Sequence, residues 1–159
     1  MKKRFLHIVA FFALAAGLSL TSCTKEDPAE AFNISSLETG TINGIAYAKL
    51  DATSTAVQFA PQGTTIFLTV DYSQFGNNSG VYQASATVGA NGTFTFNAVP
   101  TKNGGAFASI AGDGFKATYT VSTSVTETRS FESASGSAKV MPSGTSFVTI
   151  NYGSGSLFQ

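Results

Sequence analysis

Residues 64 to 72 have the sequence Thr-Thr-Ile-Phe-Leu-Thr-Val-Asp-Tyr. From position 66 onward, every second residue is apolar, and side chains two positions apart lie on the same face of an extended strand. That face holds Ile66, Leu68, Val70 and Tyr72. The stretch therefore predicts an antiparallel strand with one face in the core, and an all-β domain around it.

The same period of two recurs as far as residue 152. Phe94 and Phe96 alternate with polar residues, and so do Val148, Ile150 and Tyr152. Such runs predict about eight strands in an antiparallel β-sandwich. We expect them near residues 41–48, 56–60, 64–72, 81–88, 92–98, 106–111, 114–122 and 145–152. On the seventh, the predicted core residues are Phe115, Ala117, Tyr119 and Val121.

Two dipeptides between these runs have the composition of tight hairpin turns. Asn91-Gly92 and Asp113-Gly114 tolerate the positive φ that a type I′ turn requires, so each predicts such a turn.

The stretch from 123 to 139 is less regular, because its apolar residues are too widely spaced for a core strand. It predicts an edge strand on which charged side chains discourage pairing with other molecules. Those side chains are Glu127, Arg129 and Glu132.

The N-terminus has the features of a secretory signal. Met1-Lys2-Lys3-Arg4 is followed by an apolar run from Phe5 to Leu20. This run is shorter than the roughly 20 residues that cross a bilayer, so an uncleaved membrane anchor is the less favoured alternative.

Residues 20 to 23, Leu-Thr-Ser-Cys, resemble the lipobox of bacterial lipoproteins. The resemblance implies cleavage between Ser22 and Cys23 and attachment of lipid to the Cys23 thiol, with several acyl chains holding the protein to a membrane. The alternative is that Cys23 only happens to lie near an ordinary signal-peptidase site.

Lys25, Glu26 and Asp27 follow directly and resemble the surface-export signal of Bacteroidetes lipoproteins. The resemblance implies a lipid-anchored outer-membrane protein exposed at the cell surface. If these charges only solvate a tether, the protein could instead face the periplasm. The predicted organisation is a signal peptide over 1–22, a lipidated N-terminus and tether over 23–38, and a sandwich domain over 39–159.

Charge and cysteine content restrict the possible partners. Loss of Lys2, Lys3 and Arg4 with the signal leaves six of the nine cations against nine acids, a net charge of −3. The six cations are scattered, whereas phosphate binding needs clustered cations, so we expect no nucleic-acid partner. Cys23 is the single cysteine, which excludes a disulfide within the domain.

Four segments between residues 40 and 122 resemble the transthyretin-like, carboxypeptidase-regulatory-like sandwiches of Bacteroidetes envelope proteins. They are Gly40-Thr41-Ile42-Asn43-Gly44-Ile45-Ala46, then Ala60-Pro61-Gln62-Gly63-Thr64, then Asn91-Gly92-Thr93-Phe94-Thr95-Phe96-Asn97-Ala98-Val99-Pro100, and finally Gly114-Phe115. The resemblance implies a sandwich of seven to nine strands and carries no activity. The strand order after Thr123 stays open.

Few catalytic chemistries remain available. The single histidine is His7, inside the signal, so the mature chain has no Ser-His-Asp arrangement and no imidazole metal ligand. Paired carboxylates of a glycosidase type remain, but each candidate has an explanation as a turn, strand-end or edge residue. These candidates are Asp51, Asp71, Asp113, Glu127 and Glu132.

A calcium site could also use the carboxylates of Asp51, Asp71 or Asp113, but these residues lack the spacing of a calcium loop. We therefore expect a non-enzymatic protein without metal or cofactor, with a structural or accessory binding role.

Two alternative functions depend on particular residues. A glycan-binding surface would use Phe67, Phe75 and Phe147, which lie outside the core pattern; the favoured explanation is that they cover a second sheet or a loop. A fimbrial subunit would donate the strand at 148–152 or the strand near Gly40. Two observations count against a fimbrial subunit. Such subunits usually carry two sandwiches, whereas this chain has room for one. They are also expected to have an arginine-directed processing site before the first strand, and no arginine lies between Cys23 and Arg129.

Overall fold

The computed structural model of the chain describes residues 33–76, 79–153 and 155–157. The predicted signal peptide, the lipidation site at Cys23 and the export signal at Lys25, Glu26 and Asp27 lie outside these residues. Among the described residues, no helix has the length and apolar character needed to cross a membrane.

Strands account for most of the described chain, and the predicted all-β sandwich is confirmed. The strands are β1 (Glu38–Ala48), β2 (Gln58–Phe59), β3 (Thr65–Asp71), β4 (Val81–Thr87), β5 (Thr93–Thr101), β6 (Ala106–Gly112), β7 (Phe115–Ser122), β8 (Val125–Phe131), β9 (Ala134–Val140), β10 (Thr145–Tyr152) and β11 (Ser156–Leu157). Short 3₁₀ helices cover Ile34–Ser36 and Tyr72–Phe75.

Sheet A is built around β1, which is hydrogen-bonded along both edges. One edge pairs in parallel with β10, from Thr41 opposite Thr145 to Ala48 opposite Tyr152. The other edge pairs antiparallel with β5 and then with the short strand β2. β1 is therefore the central strand of the sheet.

Sheet B has the strand order β4-β3-β6-β9, and all of its neighbours are antiparallel. Just beyond β3, the side chain of Gln74 continues the ladder. Its Nε2 donates to the Phe107 carbonyl at 2.8 Å, and its Oε1 accepts from the Phe107 N–H at 2.7 Å. An amide side chain thus takes the place of one residue of pairing with β6 at the end of β3.

Sheet C consists of the β7–β8 hairpin, with β11 paired to the other edge of β8. The ring of Phe115 stacks on Phe131 at 4.9 Å and meets Tyr152 edge-on at 4.8 Å. The Tyr152 hydroxyl donates to the Asp113 carbonyl at 2.9 Å. The end of β10 is therefore attached to the hairpin and to the segment that leads into it.

The core takes most of its residues from the strands of sheets A and B, and Tyr119 and Phe131 of sheet C also belong to it. Ile66, Leu68 and Val70 of β3 are buried, as are Phe94 and Phe96 of β5. These are the residues that the period of two places inside. On β10, Ile150 and Tyr152 are buried and Val148 packs against the core, which agrees with the predicted face.

The two predicted type I′ hairpin turns are wrong. β6 pairs with β3 and β9 rather than β7, so Asp113-Gly114 carries the chain from sheet B to sheet C. Asn91-Gly92 ends a reverse turn in which the Gly92 N–H donates to the Gly89 carbonyl at 3.0 Å. Gly92 has a φ of 73°, but Asn91 is not among the described residues with positive φ, so the type I′ requirement is not met.

The predicted edge strand between 123 and 139 is replaced by two strands. β8, which carries Glu127 and Arg129, is not an edge, because β7 and β11 pair with its two sides. β9 forms an edge of sheet B, with Val140 buried. It was missed because it is mostly alanine, serine and glycine, whose alternation in hydrophobicity is weak.

Two single residues also differ from the predicted core face. Val121 is exposed, because the β7–β8 register shifts between Thr120 and Ser122 and the alternation is lost there. Tyr72 begins a 3₁₀ helix instead of extending β3, since Asp71 caps that helix by accepting from the Ser73 N–H.

Gly44 is a sensitive position, because a Cβ there would overlap the ring of the buried Phe94. We expect Gly44→Ala to lower the free energy of unfolding by about 1–3 kcal/mol, the usual cost of overpacking a core. Urea denaturation followed by circular dichroism measures the change.

Gly153→Ala is the matched control, since a Cβ added at that position would have no other atom within 4 Å. It should change the free energy of unfolding by less than about 0.5 kcal/mol. Equal effects of the two substitutions would contradict the close contact between Gly44 and Phe94.

Tyr152 should make the stability of the fold sensitive to alkaline pH. Burial, and to a lesser degree the Asp113 carboxylate, raises the pKa of Tyr152 to about 12 from an ordinary value of 10.0. The resulting stabilisation of the folded state is complete when the pH is below the ordinary pKa of tyrosine, and it is lost as the pH rises through the raised pKa of Tyr152.

We expect the free energy of unfolding to fall less steeply across this pH range in Tyr152→Phe than in the wild type, because phenylalanine does not ionise. At neutral pH the variant should be less stable by about 1 kcal/mol, owing to the lost hydrogen bond. Denaturation curves at successive pH values test both points; identical pH dependence in the two proteins would refute the first.

Candidate functional site

The outer face of sheet A carries the most exposed large apolar side chain of the described residues. Phe147, on β10, is 78% exposed. Its neighbours on β10, Ser146 and Val148, point the other way and are half-buried. A phenylalanine with this exposure buries little apolar surface on folding, so most of its ring is open to solvent.

Three rungs of cross-strand neighbours make up this surface, which we call the A face. The first rung is Thr95, Asn43 and Phe147, from β5, β1 and β10. The second is Thr93, Ile45 and Thr149. The third is Phe59, Tyr47 and Asn151, where β2 takes the place of β5.

The first rung places hydrogen-bonding groups beside the phenylalanine. The Thr95 hydroxyl donates to Asn43 Oδ1 at 2.9 Å. This bond uses the hydroxyl proton of Thr95 and one lone pair of the Asn43 amide oxygen. Thr95 Oγ can therefore still accept a hydrogen bond, and the Asn43 NH₂ group can still donate. Neighbouring donor and acceptor positions therefore lie next to an exposed aromatic ring.

The second rung gives the surface an apolar floor. Ile45 is half-buried between Thr93 and Thr149. A shallow groove of about 390 Å³ runs over the first two rungs, from Thr95 to Phe147 and Thr149. Its lining combines hydroxyls, an amide and apolar carbon.

The third rung adds a second aromatic group. The rings of Tyr47 and Phe59 stack at 5.6 Å with an interplanar angle of 25°, and Phe59 is 45% exposed. A Cβ at Gly92 would contact the Phe59 ring at 2.5 Å, so the lack of a side chain at Gly92 makes room for it. The pair is thus supported from below by the turn before β5.

The sequence of β1 explains why these side chains face outward. Its inward positions are Gly40, Ile42, Gly44, Ala46 and Ala48, all buried. With the inward series fixed by the core, Asn43, Ile45 and Tyr47 must point to the opposite face. The A face is therefore a direct consequence of the core packing of β1.

The structure does not bring the three phenylalanines of the predicted glycan surface together. Phe147 lies on the A face, whereas Phe67 is 47% exposed on the outer face of sheet B, which we call the B face. Phe75 lies in the 3₁₀ helix after β3 and packs against the core. Only Phe67 and Phe147 are on outer faces, and those faces belong to different sheets.

The B face has its own groove of about 410 Å³, lined by Phe67, Thr69, Gln83 and Ser85. Another exposed ring, Phe107, lies on this face with the Lys139 ammonium 5.7 Å from its centroid. The groove of the B face is therefore similar in volume to that of the A face, but the B face carries a charge beside one of its rings.

The carboxylates that the sequence offered for catalysis or calcium have local partners. Asp51 Oδ1 accepts from the Thr53 hydroxyl at 2.6 Å, and this bond is the main reason that the pKa of Asp51 is lowered. Asp71 accepts from the Ser73 N–H at 2.8 Å, which lowers the pKa of Asp71. Asp113 accepts from the Gly114 N–H.

Glu127 forms an ion pair with Arg129 at 2.7 Å. Within the described ranges, no three His, Cys, Asp or Glu side chains are grouped as a metal site would require.

The two strands proposed as fimbrial donors pair with each other. β10, which contains 148–152, lies parallel to β1, which contains Gly40, inside the same domain.

Sequence reasoning missed Asn43, Tyr47 and Phe59 as members of a surface. Asn43 and Tyr47 alternate with glycine and alanine, and that pattern was the available signal. Phe59 could not be placed, because its stacking on Tyr47 depends on the pairing of β1 with β2.

The fold has a known counterpart. A proposed carbohydrate-binding protein of Pseudomonas aeruginosa, solved as a crystal structure, superimposes on this chain with a TM-score of 0.50 and 22% sequence identity. The match covers 72% of this chain and 89% of the other. No family model and no curated protein matches the chain. At this identity the likeness shows a shared fold.

Proposed function

We propose that this protein is a non-enzymatic carbohydrate-binding protein and that its ligand rests on the A face. The observation that carries the proposal is the exposed ring of Phe147 beside the Asn43–Thr95 hydrogen bond. The C–H face of a sugar packs against an aromatic ring, while its hydroxyls donate to and accept from the polar groups around that ring. Few polar groups around an apolar platform are typical of specific small-ligand sites.

The polar groups of the A face favour a sugar over an apolar protein partner. An apolar partner would bury the Asn43 amide and the threonine hydroxyls without replacing their hydrogen bonds to water, which is costly. A sugar carries hydroxyls at matching density and can satisfy them. The fold shared with the proposed carbohydrate-binding protein of Pseudomonas aeruginosa is consistent with this function.

The non-enzymatic part of the proposal is supported by the character of the A face. None of the residues in its three rungs is a carboxylic acid, a histidine, a lysine or an arginine. Glycoside hydrolysis of the usual type needs two carboxyl groups flanking the bond. The A face supplies groups for binding and none for proton transfer at neutral pH.

Glycan binding is tested by screening the purified protein on a glycan array, with binding of each hit measured by calorimetry. We expect Phe147→Ala to weaken binding at least about tenfold, which corresponds to about 1.4 kcal/mol, because it removes the aromatic platform. Thermal unfolding of this variant should be unchanged, since the side chain is exposed.

Phe67→Ala is the matched control, because it removes an exposed phenylalanine from the B face. It should leave affinity unchanged. Loss of binding in Phe67→Ala but not in Phe147→Ala would move the site to the B face, and an array without hits would refute carbohydrate binding. A dimer that Phe147→Ala dissociates in size-exclusion chromatography would instead indicate that a second copy covers the A face.

We also propose that lipid on Cys23 holds the protein at the outer membrane, exposed at the cell surface. The support is the resemblance of residues 20–23 to a lipobox and of Lys25, Glu26 and Asp27 to an export signal. A surface position would give the A face access to extracellular glycans.

Cells fed with labelled palmitate should incorporate label into the wild type and not into Cys23→Ala. Protease treatment of intact cells should then degrade the anchored protein. Label in Cys23→Ala would contradict the anchor, and full protection from protease would contradict surface exposure.

A further inference from the structure

The A face has two aromatic platforms, and their separation constrains the ligand. Phe147 is in register with Asn43, whereas the Tyr47–Phe59 pair is in register with Asn151. Four residues along the strand separate the two positions. At about 3.3 Å per residue, the platforms are about 13 Å apart, further than a single sugar ring can reach.

The surface between the platforms is continuous. Ile45 forms the apolar floor, and the exposed hydroxyl-bearing residues Thr93 and Thr149 flank it on either side. No bulky aromatic side chain belongs to this middle rung, so an extended ligand can pass from one platform to the other along β1. Its hydroxyls would meet threonine side chains at both edges.

The three rungs carry no acidic or basic side chain. The next charged residue along the chain after Tyr47 is Lys49, and its ammonium donates to the Ser54 carbonyl. A ligand with carboxylates or sulfates would lose hydration on the A face without gaining a charged partner. The face therefore matches an uncharged ligand.

We infer that the ligand is a neutral, linear oligosaccharide lying along β1, with one sugar ring on Phe147 and a later ring on the Tyr47–Phe59 pair. This inference rests on the proposed function and adds the length, charge and direction of the glycan. The Phe147 platform, with the Asn43 amide beside it, binds even a short ligand. The second platform contributes only when the chain is long enough to span both.

The test uses calorimetry with four neutral oligosaccharide series, each from monosaccharide to hexasaccharide: β-1,4-linked glucose, xylose, mannose and N-acetylglucosamine. In at least one series, affinity should rise about tenfold or more once the chain can span both platforms. Phe59→Ala should remove that rise and leave the affinity for the shortest bound member unchanged. Phe147→Ala should weaken short and long members alike.

The matched control is again Phe67→Ala, which should retain the full dependence on length. Affinity that does not change with length, an equal effect of Phe59→Ala on short and long members, or array hits confined to charged glycans such as polygalacturonate would overturn this inference while leaving carbohydrate binding in place. The absence of any glycan hit would overturn both proposals.

Discussion

The small size of the side chains that β1 turns toward the core determines much of this structure. Four of its five inward residues are glycine or alanine, and the ring of Phe94 fills the space above Gly44. β1 can therefore lie close beneath large side chains that come from other strands. Because successive residues of a strand alternate between faces, the same constraint sends Asn43 and Tyr47 outward, so core packing and the candidate surface have one origin.

The strands that sequence reasoning predicted best are those in which large apolar residues mark the inward face. β3 and β5 are of this kind, with Leu68 and Phe94 in the core. β9 is the opposite case, because its inward positions include Gly136 and Ala138, which differ little in hydrophobicity from the adjacent residues Ser135 and Ser137. Its place beside β6 is determined by long-range pairing, which a local period cannot report.

The candidate surface was partly predictable for a related reason. Phe147 stands out because it lies one position out of phase with the core residues of β10. Phe67 shows the same signal, yet it lies on another sheet. A period of two assigns a residue to a face of its own strand, but it does not say which strands lie side by side. The rung that joins Asn43 to Thr95 and Phe147 depends on contacts among three distant segments.

The parallel pairing of β1 with β10 has a consequence for how the chain acquires its structure. Thr41 pairs with Thr145, 104 positions later, so the central strand of sheet A cannot complete its ladder until nearly the whole domain is available. Contacts of such sequence separation carry a large loop-closure cost and are typical of domains that fold in milliseconds to seconds. During synthesis one edge of β1 would stay open, a state prone to pairing with other chains. Pairing of β1 with β10 only after the entire domain has been synthesised would avoid that hazard.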